Sequence, residues 1–312
     1  MDRFEAMSML VTVTETGSFS AASRTLQVPL ATLSRKISDL EALLSVRLLV
    51  RTTRRLALTD AGIAYVAAAR RILEQVEDAE REAAGEFTTP KGELVITAPI
   101  MFGRLHVLPI VAEFLSTFPE IQVRLLLADR NLRLIDDDVD MAVRIGTLAN
   151  STMVATHVGS MRMVTCASPA LLAGHGRPKT PRDLLEMPCV VFDSPTPSPG
   201  WRYHPPGSRT DVDISIRPRL SVTTAEAAAE AAIRSVGVAR LLHYQVAEAV
   251  ERGALTIILR SFEAEAAPVH LIHVSRGQMP LKMRRFLDFA TPRLRKALGQ
   301  LDDPGAAPHR SG

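Results

Sequence analysis

"VPLATLSRKISDLE", residues 28–41, decides how this chain reads. Leu33, Ile37 and Leu40 recur at the spacing of one helical face, and Leu44 extends it. Pro29 stands where a first helical turn tolerates it. The other face opens with Ala31, Thr32, Ser34, Arg35 and Lys36: short side chains, hydroxyls and two cations. A solvated amphipathic surface helix needs no such crowding. A helix whose first turns lie against base edges does. Short side chains allow close approach, Arg35 pairs two donors with guanine or binds a phosphate, and Lys36 is a phosphate contact.

The flanking sequence fits that reading. Phe4, Met7, Leu10, Val11 and Thr14 predict a helix over residues 3–15, with Gly17 just past its end. Ser18 is placed to cap a second helix over 19–26, which carries Phe19, Ala22 and Leu26. Residues 27–30 make a tight connection, so the two helices and their turn form a helix-turn-helix. Downstream, "VRLLVRTTRRLALT" (46–59) alternates at Val46, Leu48, Val50, Leu56 and Leu58 around Thr52, Thr53, Arg54 and Arg55. It reads as a hairpin with a basic tip, a wing. Between Ala42 and Thr59 lie arginines 47, 51, 54 and 55 and no acid. A solvated basic turn would share that composition; closeness to the helix start favours phosphate binding.

Residues 60–84 predict one long helix. Tyr65, Ala69, Ile72, Val76, Ala79 and Ala83 are spaced 4, 3, 4, 3, 4, a coiled-coil seam. At 1.5 Å per residue the rod is about 38 Å long, and a dimerising connector is the expectation. "GEFTTPKGE" (85–93) ends it with Gly, Pro and hydroxyls. The expected boundaries are a DNA-binding module over 1–59, a linker helix over 60–87, an α/β domain over 88–300 and a disordered tail over 301–312.

Beyond residue 93 strands and helices alternate. "LVITAP" reads as a strand, "FGRLHVLPIVAEFLSTFP" as a helix, "IQVRLLLA" and "DMAVRIG" as strands, and "VHLIHVS" as a late strand before a final helix over 280–298. Trp201 and Tyr203 precede a "PPGS" turn and read as half of a hairpin.

Composition sets limits. The chain has 312 residues, 46% apolar and 23% charged, with a net charge of +3. It is long enough for two or three domains, and any nucleic-acid site must come from local clustering of charge. Cys166 and Cys189 are too few for a disulfide scaffold and suit a reducing, cytoplasmic setting. The N-terminal run lacks the apolar core of a signal peptide, and no stretch approaches 18 uninterrupted apolar residues, so no membrane partner is expected.

With these residues in place, residues 1–87 resemble the N-terminal module of LysR-type transcriptional regulators. The marks are "ETGSFSAAS", "LSRKISDLE" and "RLLVRTTRRLALTDAG", followed by the long helix. The rest, carried by "KGELVITAPIMFGRLHVLPIVAEFLSTFPEIQVRLLL" and "DMAVRIG", resembles that family's effector domain, and the wording is nearest its CrgA-like subgroup. The resemblance implies an α/β protein with an all-α, winged N-terminal module: a winged helix-turn-helix, a linker helix, and a two-lobed effector domain resembling type 2 periplasmic binding proteins. It implies double-stranded operator DNA, a small-molecule effector, a homodimer or homotetramer and RNA polymerase as partners, and no cofactor. By position it assigns DNA contacts to Ser18, Ser20, Thr32, Ser34, Arg35, Lys36, Arg51, Thr53, Arg54 and Arg55, with Ala31 in the same run. Many members carry a Ser-Gln-Pro type run where this chain has Pro29, Leu30 and Ala31, so the operator preference is its own.

The resemblance also places an effector between two lobes, residues 91–160 with 267–298 and residues 161–266. Expected lining residues are Pro99, Ile100, Met101 and Phe102, completed by Arg144, Ile145, Gly146, Thr223 and Thr224. Many members have a hydroxyl residue where Pro99 stands, which weakens any case for a carboxylate held by a serine. Met101 and Phe102 fit an apolar or aromatic effector; packing against the helix explains them equally.

The rival class is an enzyme or solute-binding protein with a fortuitous basic N-terminus. No nucleophile elbow, Walker loop or dinucleotide fingerprint is present, and no Cys/His spacing fits zinc. His270 and His273 fall on opposite faces of one strand, and "DDDVD" (136–140) lacks the spacing of a calcium loop. Both cysteines read as buried small hydrophobes. A wing that grips phosphate makes a direct prediction. Arg54→Ala with Arg55→Ala lowers DNA affinity, and the plot of log affinity against log salt becomes shallower by about 0.9 per lost phosphate contact. An unchanged slope and affinity would remove the wing assignment.

Overall fold

The computed structural model describes residues 2–51, 56–83, 89–129, 134, 137–148, 153–193, 200–274 and 279–302. The chain divides into two compact units, Met1–Thr89 and Pro90–Gly312.

The first unit holds α1 (Arg3–Thr16), α2 (Phe19–Leu26), α3 (Leu30–Leu44), the wing strands β1 (Leu49–Arg51) and β2 (Leu56–Leu58), and α4 (Asp60–Ala83). Local chemistry sets the helix ends. Asp2 accepts from the Phe4 N–H at 2.9 Å, Gly17 closes α1 at φ +66°, and Ser18 accepts from the Ala21 N–H at 3.4 Å to start α2. Pro29 precedes the first turn of α3. Ala6, Met9, Leu10 and Val13 from α1, Ala22 from α2, and Leu33, Ile37 and Leu40 from α3 make one core, closed by Leu48, Leu49 and Val66. α4 packs along α1. Its buried residues in this stretch are Val66 and Ala69, and Tyr65 packs partly against the same core. Two residues of the expected dimer seam, Tyr65 and Ala69, are thus engaged within their own chain. Ile72 is 36% exposed and Val76 half-buried. The side chains of Ala79 and Ala83 lie outside the described residues.

Hydrogen bonds join the wing to the helices. The Leu48 and Leu49 N–H groups donate to Glu41 Oε1 on α3 at 2.7 and 3.0 Å. The Thr59 hydroxyl donates to the Arg47 carbonyl at 2.7 Å and accepts from the Gly62 N–H at 2.9 Å, capping α4. Gly62 lies so close to the wing that a Cβ there would sit 2.0 Å from the Leu48 carbonyl oxygen.

The second unit has two sheets. The first runs β4 (Ile121–Leu127), β3 (Gly92–Ala98), β5 (Met141–Ile145), β14 (Ala267–Val274), β6 (Met153–Met161). β3 is parallel to β4 and β5, and β14 is antiparallel to both its neighbours. One face packs on α5 (Ile100–Phe102), α6 (Leu108–Thr117) and α10 (Leu281–Asp302) through Leu94, Ile96, Phe114, Val143, Leu271, Phe286 and Leu294. The second sheet runs β11 (Leu220–Val222), β8 (Cys189–Phe192), β12 (Val238–Leu242), β7 (Met163–Ala167), β13 (Thr256–Ile258). The Ala-rich α8 (Ala225–Ile233) and α9 (His243–Glu251) share the buried cluster on one face, and α7 (Pro169–His175) and the hairpin of β9 (Trp201–Tyr203) and β10 (Val212–Ile214) share that on the other. The chain passes between the lobes twice, at Arg162 between β6 and β7 and after Phe262 on the way to β14. At these passages Arg162 and Glu263 form a two-pronged ion pair, both prongs at 2.8 Å, with their side chains largely buried.

Two features depart from the sequence reading. The helix over 100–117 is not uniform: Gly103–Val107 is a π turn, in which the Leu108 N–H reaches the Gly103 carbonyl. Pro109 has no N–H for the Leu105 carbonyl, and the wider turn absorbs that loss. Averaged over all its residues, Ile100–Thr117 is long and apolar enough to cross a membrane, although polar residues interrupt it; it lays Phe102, Val107, Ile110, Val111 and Phe114 on the lobe-1 sheet. The other departure is at the C-terminus, where Leu301 and Asp302 complete α10 rather than begin the tail; residues 303–312 lie outside the described residues.

Gly62→Ala is expected to lower stability by about 1–3 kcal/mol, because the wing backbone must shift to admit a methyl group. Thermal or urea unfolding measures it, with Ala61→Gly, at an exposed neighbour, as control.

Candidate functional site

The first candidate surface is the outer face of α3. Ala31 and Arg35 are exposed, and Thr32 and Ser34 are half-buried at its flanks. Ser38, one turn beyond Ser34 and two beyond Ala31, is exposed as well and was not singled out from the sequence. Of the α2 hydroxyls, Ser20 is exposed, whereas Ser18 serves as the helix cap. Lys36 has a partner within its own unit. Its ammonium is paired with the Glu5 carboxylate of α1, and its side chain is only 22% exposed. Arg51 belongs to β1, and Thr53, Arg54 and Arg55 lie outside the described residues.

The second candidate lies at the start of the 100–117 helix. Pro99 precedes it and offers no hydroxyl. The Ile100 N–H donates to Asp129 Oδ1 at 3.1 Å, so a carboxylate of the chain itself sits at this helix end. Ile100 and Met101 are half-buried, Met101 packing on the lobe-1 core. Phe102 is a correction: it is fully buried and cannot line a site. The helical turn points it inward, where it meets the Tyr244 ring edge-on at 5.4 Å and the His106 ring at 4.8 Å. Tyr244 opens α9 of the other lobe yet belongs to the lobe-1 core, so this contact joins the lobes.

Tyr244 was missed from the sequence, because nothing local marks a tyrosine that packs on the opposite lobe. Its hydroxyl accepts from the Gln245 amide at 3.2 Å. Burial pushes its pKa up; the Gln245 hydrogen bond opposes this, and the negative charges of Asp129 and Glu226 add to it. Burial alone pushes the His106 imidazole down, keeping it neutral at pH 7, and its buried Nε2 has no hydrogen-bond partner among the described residues.

The other expected lining residues have structural duties. Arg144 and Ile145 are half-buried on β5, and burial lowers the Arg144 pKa. Gly146 turns the chain at φ +110° and donates to the Pro268 carbonyl at 2.8 Å. Thr223 is exposed, while Thr224 caps α8 by accepting from the Ala227 N–H at 3.2 Å.

No group of three metal-ligating side chains occurs among the described residues. Cys166 and Cys189 lie on β7 and β8, the two neighbours of β12, in register with Ala239 and Val238 respectively. They are thus two strand spacings apart, about 9–10 Å, and on opposite faces of the sheet. A disulfide needs Cα atoms within about 7 Å. Burial pushes the Cys166 thiol up to about 12 and the Cys189 thiol up to about 11.

Comparison with known proteins bears on both surfaces. The model of the bacterial regulatory helix-turn-helix protein, lysR family, matches residues 4–63, and that of the LysR substrate binding domain matches residues 88–295. An HTH-type transcriptional repressor of Pseudomonas aeruginosa is 31% identical, over 93% of this chain and 91% of its own. The HTH-type transcriptional activator AaeR of Escherichia coli is 29% identical, over 93% and 94%. The structure of CrgA, a LysR-type transcriptional regulator from Neisseria meningitidis, superposes with a TM-score of 0.59 at 30% identity, covering 93% of this chain and 98% of that one.

The raised thiol pKa values carry a pH prediction. At pH 8 the thiolate fraction is about one in ten thousand for Cys166 and one in a thousand for Cys189. Native protein is expected to resist iodoacetamide at pH 8 and to take up two labels per chain in urea, read by mass spectrometry. Rapid native labelling would contradict the burial.

Proposed function

Because the chain belongs to the LysR family of bacterial transcriptional regulators, we propose that its first unit reads operator DNA with the outer face of α3 and that its second binds a neutral, apolar effector where the lobes meet. The observation that carries the effector reading is the Asp129 carboxylate at the start of the 100–117 helix. A helix N-terminus offers unpaired N–H groups to an anion. Here an internal carboxylate stands in that position, and Pro99 offers no hydroxyl. A carboxylate ligand would meet like charge there; a neutral aromatic aldehyde or quinone would not. Ile100 and Met101 supply the apolar contact.

The DNA-contacting set on this reading is Ser20, Ala31, Thr32, Ser34 and Arg35, with Arg51, Thr53, Arg54 and Arg55 from the wing. Dimers form through α4, whose exposed Ile63 and Ile72 are open to a partner helix, and dimers pair into a homotetramer that works in the cytoplasm with RNA polymerase. Effector binding shifts the population between two lobe arrangements, and the assembly passes the shift to the spacing of its DNA modules.

The test uses the full chain in a thermal-shift screen, with each hit followed by footprinting on bound DNA. A ligand at a hundred times its Kd adds about 2.7 kcal/mol of stability. Neutral aromatic aldehydes and quinones are expected to raise the midpoint and alter the footprint, and the matching carboxylates to do neither. Met101→Ala should weaken the response. Stabilisation by carboxylates alone would reverse the proposed ligand class; a footprint that no stabilising compound alters would remove the effector coupling.

A further inference from the structure

α3 turns about 100° per residue. Taking the centre of the buried Leu33, Ile37 and Leu40 as the inward direction, Arg35 points about 170° away, toward solvent, and Lys36 only about 70° away. Lys36 therefore leaves the helix along its flank. Its ammonium meets Glu5 in the first turn of α1, 31 residues earlier in the chain. The pair is partly shielded, with 22% of the Lys36 side chain and 42% of that of Glu5 exposed. α1 is itself anchored on both sides: Met9, Leu10 and Val13 lie in the shared core, and Asp2 caps its start.

Resting on the reading of α3 as the recognition helix, we propose that Lys36 is a positioning residue: through Glu5 it fixes the rotation of α3 on α1, and it does not contact DNA phosphate. Apolar packing of Leu33, Ile37 and Leu40 fixes which face of α3 is buried, but it supplies no directional contact at the flank. An ion pair at the flank supplies a directional stop. A small rotation moves Arg35 and Ser34 across a groove where base readout depends on hydrogen-bond geometry. Lys36 thus acts on DNA only through the aim of its neighbours.

A phosphate contact and a positioning pair respond differently to charge reversal. Binding of the full chain to a duplex selected with the wild-type protein from a random pool is measured by fluorescence anisotropy at several salt concentrations. Lys36→Gln is expected to weaken binding about three- to tenfold and leave the slope of log affinity against log salt unchanged. Lys36→Glu alone should bind more weakly still, and Glu5→Lys added to it should restore affinity to within about threefold of wild type. A slope shallower by about 0.9 in Lys36→Gln would make Lys36 a phosphate contact and overturn the proposal. Failure of the swapped pair to rescue would also overturn it, as would tighter binding with a steeper slope in Glu5→Gln. Thermal midpoints track folding, and if Lys36→Glu does not fold, the Lys36→Gln slope decides. Arg35→Ala separates the underlying reading: if it leaves binding unchanged, α3 is not the recognition helix, whereas a loss there without rescue by the swap removes only the role given to Lys36.

Discussion

The second unit depends on where β14 lies. This strand joins the lobe-1 sheet between β5 and β6, more than a hundred residues after either. Without it β6 has no neighbour in its sheet, and Val269 and Leu271 are missing from the core that holds Phe114 and Phe286. The chain must therefore build the whole of lobe 2 and return before lobe 1 is complete. Such non-local pairing is costly in chain entropy, and it ties the two lobes into one cooperative body. It also forces two passages between them, and a two-lobed receptor can close on a ligand only by movement at such passages.

The first unit solves a different problem. It anchors α3, the helix proposed to read DNA, on its neighbours, and it adds polar ties to the apolar core. Glu41 holds the start of the wing through two backbone N–H groups, and Thr59 ties the wing to α4. Glu5 holds Lys36. The Glu41 tie joins α3 to the wing, the Thr59 tie joins the wing to α4, and the Glu5 tie joins α3 to α1. The exposed face of α3 can then carry Ala31, Arg35 and Ser38 without giving structural work to their side chains.

The local half of this architecture was legible in the sequence. The α3 periodicity, the Ser18 cap and the alternation around the wing depend on residues a few positions apart, and the family resemblance rests on the same runs. What the sequence left hidden depends on distant neighbours. Nothing near Lys36 shows that its charge is met by Glu5. The spacing of Tyr65 and Ala69 fits a seam, but cannot say whether α1 or a second chain fills it. Phe102 follows a strand at the expected end of the sheet, and only the packing of Tyr244 from the other lobe shows that it is buried. Asp129 is one acid in a loop until the fold brings it to the Ile100 N–H.

The Arg162–Glu263 pair has a mechanical consequence. A body joined by two independent strands could shear or splay as well as twist. Here a guanidinium and a carboxylate in parallel, two-pronged contact bind the two strands to each other. The planar fork fixes their separation and their relative tilt. The lobes also meet where Tyr244 packs on Phe102, so closure on a ligand would have to twist the tied strands and slide that aromatic contact in one concerted movement.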